Sequence, residues 1–249
     1  MTVRKGEEAS ATSSSRSNQA YEDLRDLLLR GHFAPNTRLT EAELTSMLDV
    51  SRGTVRAVLV RLVQEGYLTS EPNRGVRTRS FSVDEALAVL EAREALESAL
   101  AEKAAVRATD PELDLLATIC EEMSATDYVE SEDVYAQLNR RFHQQIRDSA
   151  RQPILARFAD SLVYPLVMRQ YRDMTHSSPR RTTLIEHRAI LSALQTRNPE
   201  AAAAAMRHHI AIGRHSLLEQ ADGNHSTRGR DQQDVSAHAS TLQGIDSCH

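Results

Sequence analysis

The chain has 249 residues, a formal net charge of −5, 40% apolar residues and 26% charged ones. That balance is ordinary for a globular protein of one large or two small domains. No run approaches the ~20 apolar residues of a membrane span. The opening residues carry no apolar stretch of the secretory kind. Two cysteines, Cys120 and Cys248, exclude a disulfide scaffold or a cysteine-rich zinc module. A cytoplasmic protein without a membrane partner is the expectation. Nine glycines, no tryptophan and abundant Ala, Leu, Glu and Arg predict a mainly α chain.

Residues 1–18 are rich in Ser, Thr and charge without periodicity and read as a disordered tail. From residue 19, Tyr21, Leu24, Leu27 and Leu28 fall at helical spacing, with Gly31 at the stop. "FAPNTRLT" reads as a turn. Thr40 and Glu43 form a capping-box pattern that opens a helix through about Met47. Ser51 caps a further helix, roughly Arg52 to Glu65, that ends at Gly66. In it Val55, Leu59, Leu62 and Val63 make the buried stripe, while Arg52 and Arg56, four apart, share the exposed face. "YLTSEPNRGVRTR" reads as two short strands around a Pro-Asn-Arg-Gly turn. Arg74, Arg77 and Arg79 lie on this hairpin. Residues 51–79 carry a net +4, whereas residues 81–220 carry −5.

Helix, turn, helix and hairpin is the order of a winged helix-turn-helix, whose second helix enters the major groove of DNA. The segment "LTEAELTSMLDVSRGTVRAVLVRLVQEGYLTSEPNRGVRT" resembles the DNA-binding domain of GntR-type bacterial transcription regulators, over about 60 residues. The resemblance implies operator DNA as partner and Ser51, Arg52, Thr54 and Arg56 as recognition-helix contacts. It makes Gly75 the wing glycine. Arg74 and Arg77 are wing candidates for phosphate or minor-groove contact. Gly53 and Thr54 stand where the family usually has threonine and proline.

Beyond residue 80 the chain reads as six antiparallel helices near 83–108, 111–126, 131–149, 152–173, 179–196 and 199–219. Asp110-Pro111, Gln152-Pro153 and Asn198-Pro199 serve as starts. Residues 19–80 and 81–220 are therefore expected as two domains. Residues 221–249 read as a second disordered tail.

At 100° per residue, Val134, Leu138, Phe142 and Ile146 form one apolar stripe, with Asn139 and His143 stacked at its edge. His187 falls inside the stripe of Ile190, Leu191 and Leu194. His209 borders that of Met206, Ile210, Gly213 and Leu217. His208 and His215 point away. If Asn139, His143, His187 and His209 converge, they suit a divalent metal such as Zn²⁺, Ni²⁺ or Mn²⁺. The alternative is a set of core histidines. Arg93 shares an inward face with Leu90, Leu96 and Leu100 and needs an anion: Glu97 one turn on, or the carboxylate of a ligand.

"NRRFHQQI", "EHRAILSAL" and "NPEAAAAAMRHHI" resemble the FCD effector-binding domain of the FadR-like branch of the GntR family. Its metal pattern is an Asp or Asn four residues before a His, then two further His. Here the histidines follow at 44 and 22 residues. "LEAREALESALAEKAA" resembles the domain's first helix, where Arg93 matches an arginine associated with ligand binding. Six helices resemble the shorter, VanR-type members. These resemblances imply a homodimeric repressor controlled by a small carboxylate effector, not an enzyme.

Two other functions fit parts of the pattern. A metal-dependent enzyme would also use three histidines, but HExxH and Glu-x-x-His are absent, and Glu186 lies about 100° from His187 around the helix. A structural helical adaptor would leave the histidines in the core.

Overall fold

The computed structural model describes residues 4–72, 74–126, 132–172 and 180–219. The stretch expected as a C-terminal tail, 221–249, lies outside them. So does Asn73 in the hairpin turn.

The first unit comprises α1 (Arg4–Leu29), β1 (Arg38–Leu39), α2 (Glu41–Leu48), α3 (Arg52–Gln64), β2 (Leu68–Glu71) and β3 (Gly75–Thr78). Its core is Leu24, Leu28, Leu44, Val55, Val58, Leu59, Leu62 and Leu68. Helix α1 begins at Arg4, so most of the stretch expected as an N-terminal tail is helical. Ala20, Tyr21, Leu24 and Leu28 dock the later turns. The helix extends back from them through residues 15–19, which bury no side chain fully and so leave no apolar period to detect.

The capping box at Thr40 forms as expected, with Glu43 N–H donating to the Thr40 hydroxyl. The turn expected at "FAPNTRLT" contains a strand instead. β1 joins the hairpin in a three-stranded antiparallel sheet, order β1-β3-β2, with Arg38 opposite Arg77 and Leu39 opposite Val76. Two residues are too few for an alternation signal, and their partners lie far along the chain.

Helix α3 ends in a Schellman motif. Gly66 N–H donates to Val63 O (3.1 Å) and Tyr67 N–H to Leu62 O (2.9 Å), with Gly66 at φ 82°. A side chain at that φ would be strained, so the glycine sets where the recognition helix stops.

The second unit has its own core, running from Phe81 to Leu217. Its helices are α4 (Val83–Arg107), α5 (Asp110–Ala125), α6 (Glu132–Ser149), α7 (Pro153–Ser161), α8 (Tyr164–Arg172), α9 (Arg180–Gln195) and α10 (199–219). The six expected helices are thus seven among the described residues. The long helix expected over 152–173 breaks at Leu162 and Val163. Pro165 explains the break: it has no N–H for the carbonyl of Ser161, and its ring would strike that carbonyl. Val163 turns the chain at φ 46°, an uncommon conformation for a β-branched residue, and is held there by burial. In α6 the stripe starts later than expected. Val134 is 48% exposed, while Leu138, Phe142 and Ile146 are buried.

Helix α8 joins the two units. It packs on α1, and the Arg169 guanidinium lies against Gly31 just past the end of that helix. At its far end Gln170 clasps the linker: Phe81 N–H donates to Gln170 Oε1 (2.9 Å) and Gln170 Nε2 donates to Phe81 O (2.7 Å). The Tyr171 hydroxyl also donates to Phe81 O, at 2.6 Å.

Gly53 lies in the first turn of α3, and a Cβ built there would have Ser51 Oγ as its nearest neighbour at 3.8 Å. Gly53→Ala is expected to stabilise the protein by about 0.5–1 kcal/mol, since alanine favours helix and meets no clash. Urea denaturation at neutral pH measures it.

Candidate functional site

The first candidate surface is the exposed start of α3. Ser51 caps the helix, its Oγ accepting from Thr54 N–H (3.2 Å) and lying 2.9 Å from Thr54 Oγ1. The proline usual at this position in the family pattern would have no N–H to donate to Ser51. Arg52 and Arg56 are both exposed on the same face. Arg56 Nε donates to Glu41 Oε1 at 2.7 Å, an exposed pair that costs little to break. On the hairpin Arg74 is exposed, and Gly75 takes φ 89°, which lets the chain turn. Arg77 donates to Asn36 O (3.0 Å) and lies 3.5 Å from Glu71. Arg79 is drawn away from the wing, bonded to Glu85 and to Gly66 O.

The second candidate site lies inside the bundle. His143 of α6, His187 of α9 and His209 of α10 are all buried, and one ligating atom from each lies within 4.8 Å of the others. His143 Nδ1 is 2.6 Å from Glu97 Oε2. Burial works to raise the Glu97 carboxyl, but Arg93, His143 and Arg147 outweigh it and hold it well below the usual carboxylate range. Glu97 is therefore an acceptor, and His143 Nδ1 carries the proton. Its Nε2 lone pair then faces His209 Nε2 at 3.2 Å. Such a contact needs a proton or a cation between the two nitrogens. Two nitrogens bound to one zinc at about 2.0–2.1 Å would stand roughly 3.3 Å apart, so the spacing fits a shared ion.

His187 strengthens the fit. It is fully buried, stands edge-on to Phe142 at 4.9 Å, and neither ring nitrogen has a hydrogen-bond partner. Unsatisfied buried nitrogens of this kind are costly. One turn before His143, the Asn139 Oδ1 is buried and also without a partner. Burial pulls all three imidazoles below their ordinary pKa, His187 and His209 well below, which keeps them neutral as metal ligands must be. His208 is exposed, and the exposed His215 pairs with Glu219, so neither joins the site.

Arg93 is buried as expected and meets Glu97, through Nε at 2.8 Å and Nη2 at 3.4 Å. Its guanidinium also stacks on the Tyr164 ring, 3.5 Å from the centroid. Arg147 adds a second cation, 3.4 Å from Glu97 and 3.2 Å from Asp160. These groups border a cleft of about 950 Å³. Arg93, Asn139, His143 and Tyr164 are among its lining residues, as are Arg25 and Tyr67 of the first unit.

Glu186 escaped the sequence reading. Its 100° offset from His187 made it look outward, yet it is buried and its Oε2 lies 2.8 Å from His209 Nδ1. Adjacent residues can both face inward when a helix is covered on two sides. Here α9 packs against both α4 and α5. Burial, opposed by His208, pushes the Glu186 carboxyl up to about 7.

Residues 88–212 match the FCD domain, and residues 16–77 match the bacterial regulatory proteins of the gntR family. The chain belongs to the GntR family. It is a DNA-binding transcription regulator with an FCD domain, and its relatives are regulators, which sets aside the metal-enzyme reading. The HTH-type transcriptional repressor RspR of Escherichia coli K12 is 28% identical over 193 residues, covering 77% of this chain and 84% of that protein. The Uxu operon transcriptional regulator of the same strain is 30% identical over 237 residues, covering 84% and 90%. Among solved structures, E. coli McbR/YncC has the same fold, with a TM-score of 0.72 at 22% identity over 82% of this chain and 98% of that one. No helix among the described residues of this GntR regulator is long and apolar enough to cross a membrane.

Proposed function

We propose that this GntR regulator is a cytoplasmic, homodimeric repressor whose operator affinity is set by a small carboxylate held beside a divalent metal. The observation that carries the reading is the facing pair of imidazole nitrogens at 3.2 Å beside the unpartnered His187. Asn139, His143, His187 and His209 are the ligands, and Zn²⁺, Ni²⁺ and Mn²⁺ are the candidates. The bound metal supplies positive charge for the carboxylate of the effector. Arg93 supplies a second anchor, its guanidinium shared between Glu97 and the incoming anion. Residues 19–80 bind DNA through Ser51, Arg52, Thr54, Arg56, Arg74, Gly75 and Arg77, and residues 81–220 sense the effector. RspR, named a repressor, supports the sign.

Coupling runs through α8. Its first residue, Tyr164, stacks on Arg93, and its last turn clasps the linker at Phe81. An anion that moves Arg93 therefore moves the base of α8 and the path of the chain into the first unit. The effector shifts the balance of two domain arrangements by its differential affinity for them.

The test is thermal stability of the metal-stripped protein, titrated with each metal and then with small carboxylates. A metal at ~100 times its dissociation constant adds ~2.7 kcal/mol of stability. The rise in melting temperature is expected in the parent and not in His143→Ala. No rise in either protein returns the histidines to the core.

A further inference from the structure

We infer that Glu186, opposite Glu97, is a positioning residue that turns Nε2 of His209 inward as a metal-ligating atom. The inference rests on the three-histidine reading above and adds to it which nitrogens bind and what holds them.

Two of the three rings are fixed from behind. His143 has Glu97 of α4 at 2.6 Å from its Nδ1, and His209 has Glu186 of α9 at 2.8 Å from its own. Each carboxylate leaves Nε2 pointing at the other ring. A ring flip on either side would break its carboxylate contact. His187 has no such support and touches Phe142 instead, so it is the adjustable ligand of the three. Helix α9 thereby supplies a ligand, His187, and beside it the group that orients the ligand on α10.

Glu186 differs from Glu97 in what else it does. Glu97 also meets Arg93 and Arg147, so it carries a structural load. Glu186 makes no ion pair with a Lys or Arg among the described residues, and its second oxygen, Oε1, is buried without a hydrogen-bond partner. A buried acid in that setting is unfavourable for the fold by itself. A positive charge on the far side of the imidazole would draw it into the ionised form, in which a carboxylate behind a ligating histidine fixes its tautomer and raises its basicity.

The experiment uses the full chain, stripped of metal, as parent, Glu186→Gln and Glu186→Ala. Zn²⁺ affinity is read by competition with a chromophoric chelator, and Co²⁺ provides an absorption spectrum of the site. Glutamine keeps an acceptor for Nδ1–H but loses the charge; alanine loses both. Affinity is expected to fall about 10-fold for glutamine and towards 100-fold for alanine, with a shifted Co²⁺ spectrum. The metal-free Glu186→Gln variant, which keeps an acceptor for Nδ1, should melt no lower than the parent, which separates positioning from a structural role. Equal affinity in parent and Glu186→Ala overturns the inference and leaves the three-histidine site standing. A fall in affinity in Glu186→Gln matched by a lower metal-free melting temperature overturns it too. A parent that binds neither ion overturns the inference together with the reading beneath it.

Discussion

Replacing Arg52 and Arg56 together by alanine is expected to lower operator affinity by about 100-fold or more, at 1–3 kcal/mol for each arginine that reaches a base edge. Both side chains are exposed at the start of α3, so their loss leaves the core of that helix untouched. The Arg56–Glu41 pair adds little to stability, and the double variant should melt within a degree or two of the parent. The operator can be selected from a random duplex pool by the intact protein, and binding then measured at several salt concentrations. Loss of base contacts weakens binding and relaxes the sequence preference. Loss of phosphate contacts also lowers the salt slope by about 0.9 per contact. Unchanged affinity would move the recognition surface off α3.

The second large effect concerns the fold. Glu97→Ala is expected to destabilise the metal-free protein by about 3–5 kcal/mol, because it strands the buried Arg93 guanidinium. That is a large part of the roughly 5–15 kcal/mol by which a domain is stable. Replacing Arg93 and Glu97 together by methionine removes both charges and should cost far less. Urea denaturation at pH 7 compares the two. The same ion pair predicts a pH dependence. The folded Glu97 carboxyl is held well below its unfolded value of about 4.3, so its contribution is fully present above that value. It is lost as pH falls from there towards the folded pKa. The acid limb of the stability curve should therefore be steep in the parent and shallower in the double methionine variant.

Several features of this protein were legible residue by residue because their causes are local. Thr40 with Glu43 forms the capping box that their spacing predicts, and Ser51 caps α3. Asn198 accepts from Ala201 N–H at 3.0 Å, just before the proline that opens α10. The apolar side chains around His187 (Ile190, Leu191, Leu194) and His209 (Met206, Ile210, Leu217) are buried as their period requires. Other features differ from the sequence expectation because their local signal is weak or short. Pro165 was available to divide the helix expected over 152–173. Arg38 and Leu39 carried no strand pattern of their own.

By itself the sequence determined the helix–turn–helix–hairpin order of the first unit, the helix starts set by caps and prolines, and the inward placement of the three histidines. All of these follow from contacts within a few turns of one chain. Only the tertiary structure decided that the nitrogens of His143 and His209 meet at 3.2 Å. It also decided that Glu97 is shared between Arg93 and His143, and that Glu186 stands behind a ring 23 residues further along. Helical period gives a direction around one axis. The distance between two side chains depends on how their helices cross and on the rotamers that packing permits, and those are settled only when the bundle closes.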